Sequence, residues 1–179
     1  MKARHVAAVS ASAVLVIGGL AACGDSYSDT TSRDEAGQIT DEGTVGVFAL
    51  QVGDCINDPS MLEVAEPGQD SEDVAELTAV PCSELHTGEV VAVDDAVFDG
   101  EDEYPAEVVL ESRSYEHCVL ALEEYTGQSY EESYFDVFAM YPSPESWDLD
   151  RDRGVACVGV VLSENTLLPI ESTGSMKAA

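Results

Sequence analysis

Positive charge is what this chain has least of. It carries seven Lys plus Arg against 36 Asp plus Glu, a formal net charge of −29. Phosphate backbones and anionic headgroups are held by clustered cations, so nucleic acid is excluded as a partner and charge cannot hold a membrane. Catalytic signatures are missing too: there is no Gly-x-Ser-x-Gly, no phosphate loop and no His-Glu-x-x-His. No Cys-x-x-Cys occurs, and beyond His5 the histidines are His86 and His117, far apart in sequence, so no zinc set is spelled out. The apolar run Val6 to Gly19 is too short to span a bilayer.

That run stands where a secretory leader would place it, behind Lys2 and Arg4 and ahead of Leu20-Ala21-Ala22-Cys23. The ending resembles the bacterial lipobox, which implies a signal peptide over 1–22 and an acylated, palmitate-bearing Cys23 as the membrane anchor. Stable anchoring takes two acyl chains, and a lipoprotein cysteine carries at least that many. The expected location is the outer face of the plasma membrane. Residues 23–44 are polar and read as a flexible tether, 45–171 as one domain, and 172–179 as a tail.

Four cysteines remain in the exported part, at 55, 82, 118 and 157. An even count in an exported chain reads as two disulfides. Of the three connectivities open to four cysteines, the sequential one is favoured, Cys55 with Cys82 and Cys118 with Cys157. Each would close a loop worth roughly 3–4 kcal/mol in the chain-entropy model. No cofactor and no metal is called for.

Strand-forming runs lie at Val45–Val52, Leu77–Val80, Glu89–Phe98, Tyr134–Tyr141 and Gly154–Leu162, with a short edge within Thr166–Ile170. The second and third are expected to pair through the Cys82–Gly88 turn, and Gly159 could mark a bulge. One clear helix starts at Pro105 and stops at Gly127, with Val108, Leu110, Tyr115, Cys118, Leu122 and Tyr125 in its apolar period. Ser143-Pro144-Glu145 opens a second, short helix. The fold class is therefore α+β: an antiparallel sheet of about five strands with one main helix on a face and two disulfides.

Cys82 and His86, four apart, could form a nucleophile and base, but an oxidised Cys82 removes that chemistry. Asp148, Asp150 and Asp152 alternate like the start of a calcium loop. Arg153 stands where such a loop needs glycine, and Gly159 where it needs its bidentate acid. His86, Glu89, Trp147 and Arg153 are left as candidate binding or structural residues, none of them catalytic and none a metal ligand.

An ordered set of residues resembles the septum-formation domain family of bacterial envelope proteins. It comprises Val52-Gly53-Asp54-Cys55, Val80-Pro81-Cys82 with His86 and Glu89-Val90, Cys118 with Tyr125 and Gly127, Pro144 with Trp147, and Asp152-Arg153-Gly154-Val155 before Cys157. The similarity spans roughly residues 45–162. The family usually has proline before the histidine, where this chain has Leu85, and Gly-Asp-Arg where it has Arg151-Asp152-Arg153. The resemblance implies an envelope protein linked to septum formation and brings no catalytic residues. The expected function is a non-catalytic surface lipoprotein whose domain binds an unknown envelope protein or cell-wall component. The alternatives are an envelope hydrolase using paired carboxylates and an acidic cation-binding surface protein.

Overall fold

A computed structural model describes residues 29–62 and 74–178. The expected leader, 1–22, and the lipidation site Cys23 lie outside the described residues. Nine strands and two α-helices follow in chain order. Strands β1 (Ser32–Arg33) and β2 (Ile39–Asp41) form a hairpin, turned at Gly37 with φ 85°. Then come β3 (Gly43–Gly46), β4 (Cys55–Ile56), β5 (Glu76–Val80) and β6 (Gly88–Asp94). Helix α1 (Glu107–Thr126) leads to β7 (Phe135–Met140), helix α2 (Pro144–Leu149), β8 (Val155–Leu162) and β9 (Pro169–Ile170). Among the described residues no helix is long and apolar enough to cross a membrane.

The main sheet has seven antiparallel strands in the order β3-β5-β4-β6-β8-β7, with β9 pairing to the end of β8. The expected α+β architecture with one dominant helix and two disulfides is what the chain forms. Two strands are added to the expected five, and one neighbour relation changes. Strand β4 lies between β5 and β6: Cys55 pairs with Val80 on one side and Glu89 on the other. The two strands expected to pair through the Cys82–Gly88 turn are therefore separated by two residues of a third.

The run Val45–Val52 does not stay extended. It leaves the sheet at Gly46 and makes a 3-10 turn over Val47–Ala49, which buries Leu50. Gly53, at φ 96°, then turns the chain so that Cys55 enters the slot beside β6, and its N–H donates to the Val90 carbonyl. Only a residue without Cβ takes that φ without strain.

Of the polar stretch expected to be a tether, residues 23–28 lie outside the described residues, and 29–44 are part of the fold. Their order comes from pairing and charge rather than apolar burial: β1 pairs with β2, and β3 pairs with β5 from Gly43↔Ala79 to Gly46↔Glu76. The guanidinium of Arg33 makes a bidentate pair with the buried carboxylate of Asp54, one contact at 2.8 Å, which also accepts from the Gln51 amide. That hydrogen-bonded pairing makes the Arg33 side chain harder still to deprotonate. The tail expected over 172–179 is likewise part of the fold, bridged to His86 through Ser172.

Two cores flank the sheet. On one face Val45, Ile56, Leu77, Val90 and Val158 pack under Ile39, Leu50 and Met61. On the other, α1 lays down Leu110, Cys118 and Leu122 against Val91, Val137 and Cys157. The buried stripe of α1 repeats every four residues, Leu110-Ser114-Cys118-Leu122, so Val108 and Tyr115 fall outside it and are 67% and 43% exposed. The helix begins at Glu107, two residues later than expected, and ends at Gly127, whose φ of 68° and N–H bond to the Glu123 carbonyl stop it. Cys118–Cys157 joins helix to sheet with Cα atoms 5.3 Å apart, and Cys55–Cys82 joins β4 to the turn after β5 at 5.2 Å. The irregularity in the ladder falls in β6, between Val90 and Ala92, not at Gly159. Gly159 serves closeness instead, since a Cβ there would meet Leu122, Met176 and Val91 at 3.0 to 3.1 Å.

Candidate functional site

The segment Cys82–Glu89 brings His86, Thr87 and Glu89, all buried, beside the C-terminal strap, residues 172–178. Backbone bonds set it in place: His86 and Ser172 exchange N–H···O bonds of 3.0 and 2.9 Å, and the Gly174 N–H donates to the Cys82 carbonyl at 2.6 Å. Glu89, 1% exposed, then takes three donors. Its Oε1 accepts from the Tyr125 hydroxyl and the Ser175 hydroxyl, each at 2.6 Å, and its Oε2 accepts from the Met176 N–H at 2.6 Å. Among the described residues no Lys or Arg forms an ion pair with it. Three donors leave this buried carboxylate fully hydrogen-bonded by the fold itself.

The helix closes the same arrangement. Tyr125 lies near the C-terminal end of α1, and its carbonyl accepts from the Ala178 N–H at 3.0 Å. The Lys177 ammonium stands 5.8 Å from its ring. Burial, followed by the hydrogen bond to Glu89, pushes the Tyr125 phenol up to about 12.

His86 is fully buried. Its Nδ1 is 2.9 Å from the Glu84 carbonyl, which can only accept, so Nδ1 carries the proton. Nε2 has no hydrogen-bond partner among the described residues. A buried ring with its proton turned to the backbone is a turn-fixing group. Cys82 is bonded to Cys55 and offers no thiolate. The two sulfurs and a Glu89 oxygen lie within 4.8 Å of one another, but disulfide sulfurs are not the thiolate donors of a metal centre.

Trp147 and Arg153 form a separate cluster under α2. Ser143 and Ser146 build a reciprocal capping box at the start of this helix, which fixes Trp147 on its inner side at 2% exposure. The Arg153 guanidinium sits 3.4 Å from the indole centroid and donates to the Trp147 carbonyl at 3.1 Å. Tyr104 and Phe98 meet the indole edge-on at 5.5 and 6.2 Å. Asp152 accepts from the Gly154 N–H and the Ser146 hydroxyl, so the Asp-Arg-Gly run ties the loop before β8 to α2.

Sequence reasoning missed three participants: Arg33, Ser175 and Met176. Each lies in a polar terminal segment whose composition carries no apolar signal. Gly53-Asp54 was visible as a motif, and its role is now clear: the glycine makes the turn and the aspartate receives the N-terminal hairpin.

The septum formation family model matches residues 64–179. The chain belongs to the septum formation family. The match covers β5 through the C-terminal strap, so it takes in Cys82, Glu89, Tyr125 and the Ser175–Met176 donors. It reaches further toward the C-terminus than the similarity read over 45–162, and it leaves out Cys55 and Asp54. Membership in the septum formation family supports a role in septum formation or the cell envelope. No curated protein and no solved structure matches the chain.

Proposed function

We propose that this septum formation protein is a non-catalytic lipoprotein, held on the outer face of the plasma membrane through Cys23, whose α+β domain binds an envelope partner. The observation that carries the binding reading is the use made of the two acids that are buried among the described residues. Asp54 is spent on Arg33 and the Gln51 amide, and Glu89 on Tyr125, Ser175 and Met176. A hydrolase working with paired carboxylates needs one that can accept or release a proton beside a substrate. Here both are saturated by the fold itself. The leader and lipobox-like ending support the anchor, and the family supports the septal process.

Two measurements test the reading. Labelled palmitate should enter the wild-type chain and not Cys23→Ala, and the variant should leave the membrane fraction. A fluorescent fusion should concentrate at division sites; an even distribution around dividing cells would remove septal action from the proposal. Cell-wall hydrolysis by the purified chain, abolished by Glu89→Gln, would replace the binding reading with the enzymatic one.

A further inference from the structure

Helix α1 and strand β7 flank a shallow, open groove of about 420 Å³. One wall is Val108, Ser112 and Tyr115, at the i, i+4 and i+7 positions of one helical stripe, adjacent to the buried stripe. The other is Val137, Ala139 and Tyr141, alternate residues of the edge strand and its continuation. The walls are apolar and partly open.

The edge beside the groove is partly closed to strand addition. The Leu162 N–H donates to the Tyr134 carbonyl, so by the alternation of an antiparallel ladder the amides of Phe135, Val137 and Ala139 point away from β8. The first two are capped from within: Phe135 N–H by the Ser133 hydroxyl at 3.3 Å, and Val137 N–H by the Asp136 carboxylate at 2.8 Å. Tyr130 donates to the same carboxylate at 2.8 Å and contacts the Tyr115 hydroxyl at 2.7 Å, which fixes the side chains at this end. With two of these three amides spent, an occupant is held chiefly by side chains dropped between the walls rather than by extending the sheet.

Charge selects the occupant. The chain's formal charge is −29, and Glu111 stands on the groove itself. Arg113 on α1 is taken by Glu101 and lies over Phe98. A second copy or an anionic lipid surface would bring like charge against like charge. Resting on the binding reading above, we propose that this groove receives a cationic segment of a partner protein that inserts one or two apolar side chains. The helical wall is about 10 Å long by its rise, which is room for that many.

The first test uses full-length protein and three synthetic peptides: a lysine-rich one carrying two leucines or tryptophans, the same with these changed to serine, and the same with lysines changed to glutamate. Fluorescence anisotropy at ~0.15 M salt should show the first binding at least about tenfold tighter than either control. Val108→Arg, which places a cation on the wall, and Ser112→Trp, which fills the space, should each weaken it about tenfold. Leu120→Arg makes the same charge change roughly 120° around the helix from Val108 and should alter it less than about threefold. Equal binding of the serine peptide, or an equal effect of Leu120→Arg, would overturn the proposal by showing charge attraction alone. In cells, a photo-crosslinker at Ser112 should capture a partner through a lysine- or arginine-rich segment. Capture from Leu120 alone would overturn the groove and leave the binding function standing; capture from neither would overturn both. Linkage to a second copy, to residues 63–73 of the same chain, or to an acidic segment would also overturn it.

Discussion

Replacing Glu89 separates two effects that oppose each other at a buried carboxylate. Desolvating the charge costs several kcal/mol, and an apolar substitute of similar size can stabilise a protein by avoiding that cost. Against this stand three charge-assisted hydrogen bonds, each worth about 1.5–3 kcal/mol, all at 2.6 Å. The partners decide the balance. The hydroxyls of Tyr125 and Ser175 can rotate to accept, but the Met176 N–H can only donate. Glu89→Gln can keep its carbonyl on Met176 and turn its amide toward the two hydroxyls, so it should lose only about 1–2 kcal/mol. Glu89→Leu strands the Met176 N–H and both hydroxyls and should lose about 3–5 kcal/mol. Urea unfolding gives both values, and a cycle pairing Glu89→Gln with Ser175→Ala should show a coupling of about 1 kcal/mol. Hydrogen exchange at Met176 should accelerate in Glu89→Leu well before global unfolding. A leucine variant as stable as wild type, with Met176 equally protected, would refute the claim that this carboxylate holds the strap.

Four other expectations follow from the same contacts. Arg33→Gln leaves the 2%-exposed Asp54 carboxylate without its cation and should cost about 3 kcal/mol in urea unfolding, with protease sensitivity appearing first in residues 29–44. Tyr125 holds its proton more tightly folded than unfolded. Its contribution is complete below pH 10 and disappears as pH rises from 10 to about 12; Tyr125→Phe should flatten the alkaline loss seen by thermal melts in that range. Removing Cys118–Cys157 with serine at both positions should cost about 3–4 kcal/mol, and non-reducing peptide maps of the wild type should contain only the 55–82 and 118–157 linked pairs. Arg153→Gln should cost roughly 1–2 kcal/mol and red-shift the emission of the single Trp147.

What the sequence disclosed divides along a physical line. Segments with a regular apolar pattern or a clear cap were legible: α1 through Leu110, Cys118 and Leu122, although Val108 and Tyr115 were counted with them, β8 through its valines, and α2 through the Ser143-Pro144 start. Cysteine parity and spacing were enough to favour the two disulfides. Segments held by other forces were not. The β1–β2 hairpin rests on backbone pairing and one ion pair, and the strap rests on amides and hydroxyls aimed at Glu89. Neither mechanism leaves a trace in hydrophobicity. The two-residue β4 shows the same limit in reverse: Cys55 and Ile56 are apolar, but their place between β5 and β6 depends on the Gly53 turn. Of the candidate residues, Glu89 and Arg153 were legible as types, while their partners were long-range in sequence and could not be read from spacing.

The N-terminal hairpin, folded against Asp54, also has a mechanical consequence. If Cys23 carries the lipid as proposed, the chain from it to the first described residue, Asp29, spans at most about 20 Å fully drawn out. Whatever path those residues take, the upper bound on this leash would keep the domain beside the bilayer. Its acidic surface would be kept close above the headgroups, and an anionic bilayer would push back against it. The balance between leash and repulsion would restrict which sides of the molecule can be met by anything approaching from the wall.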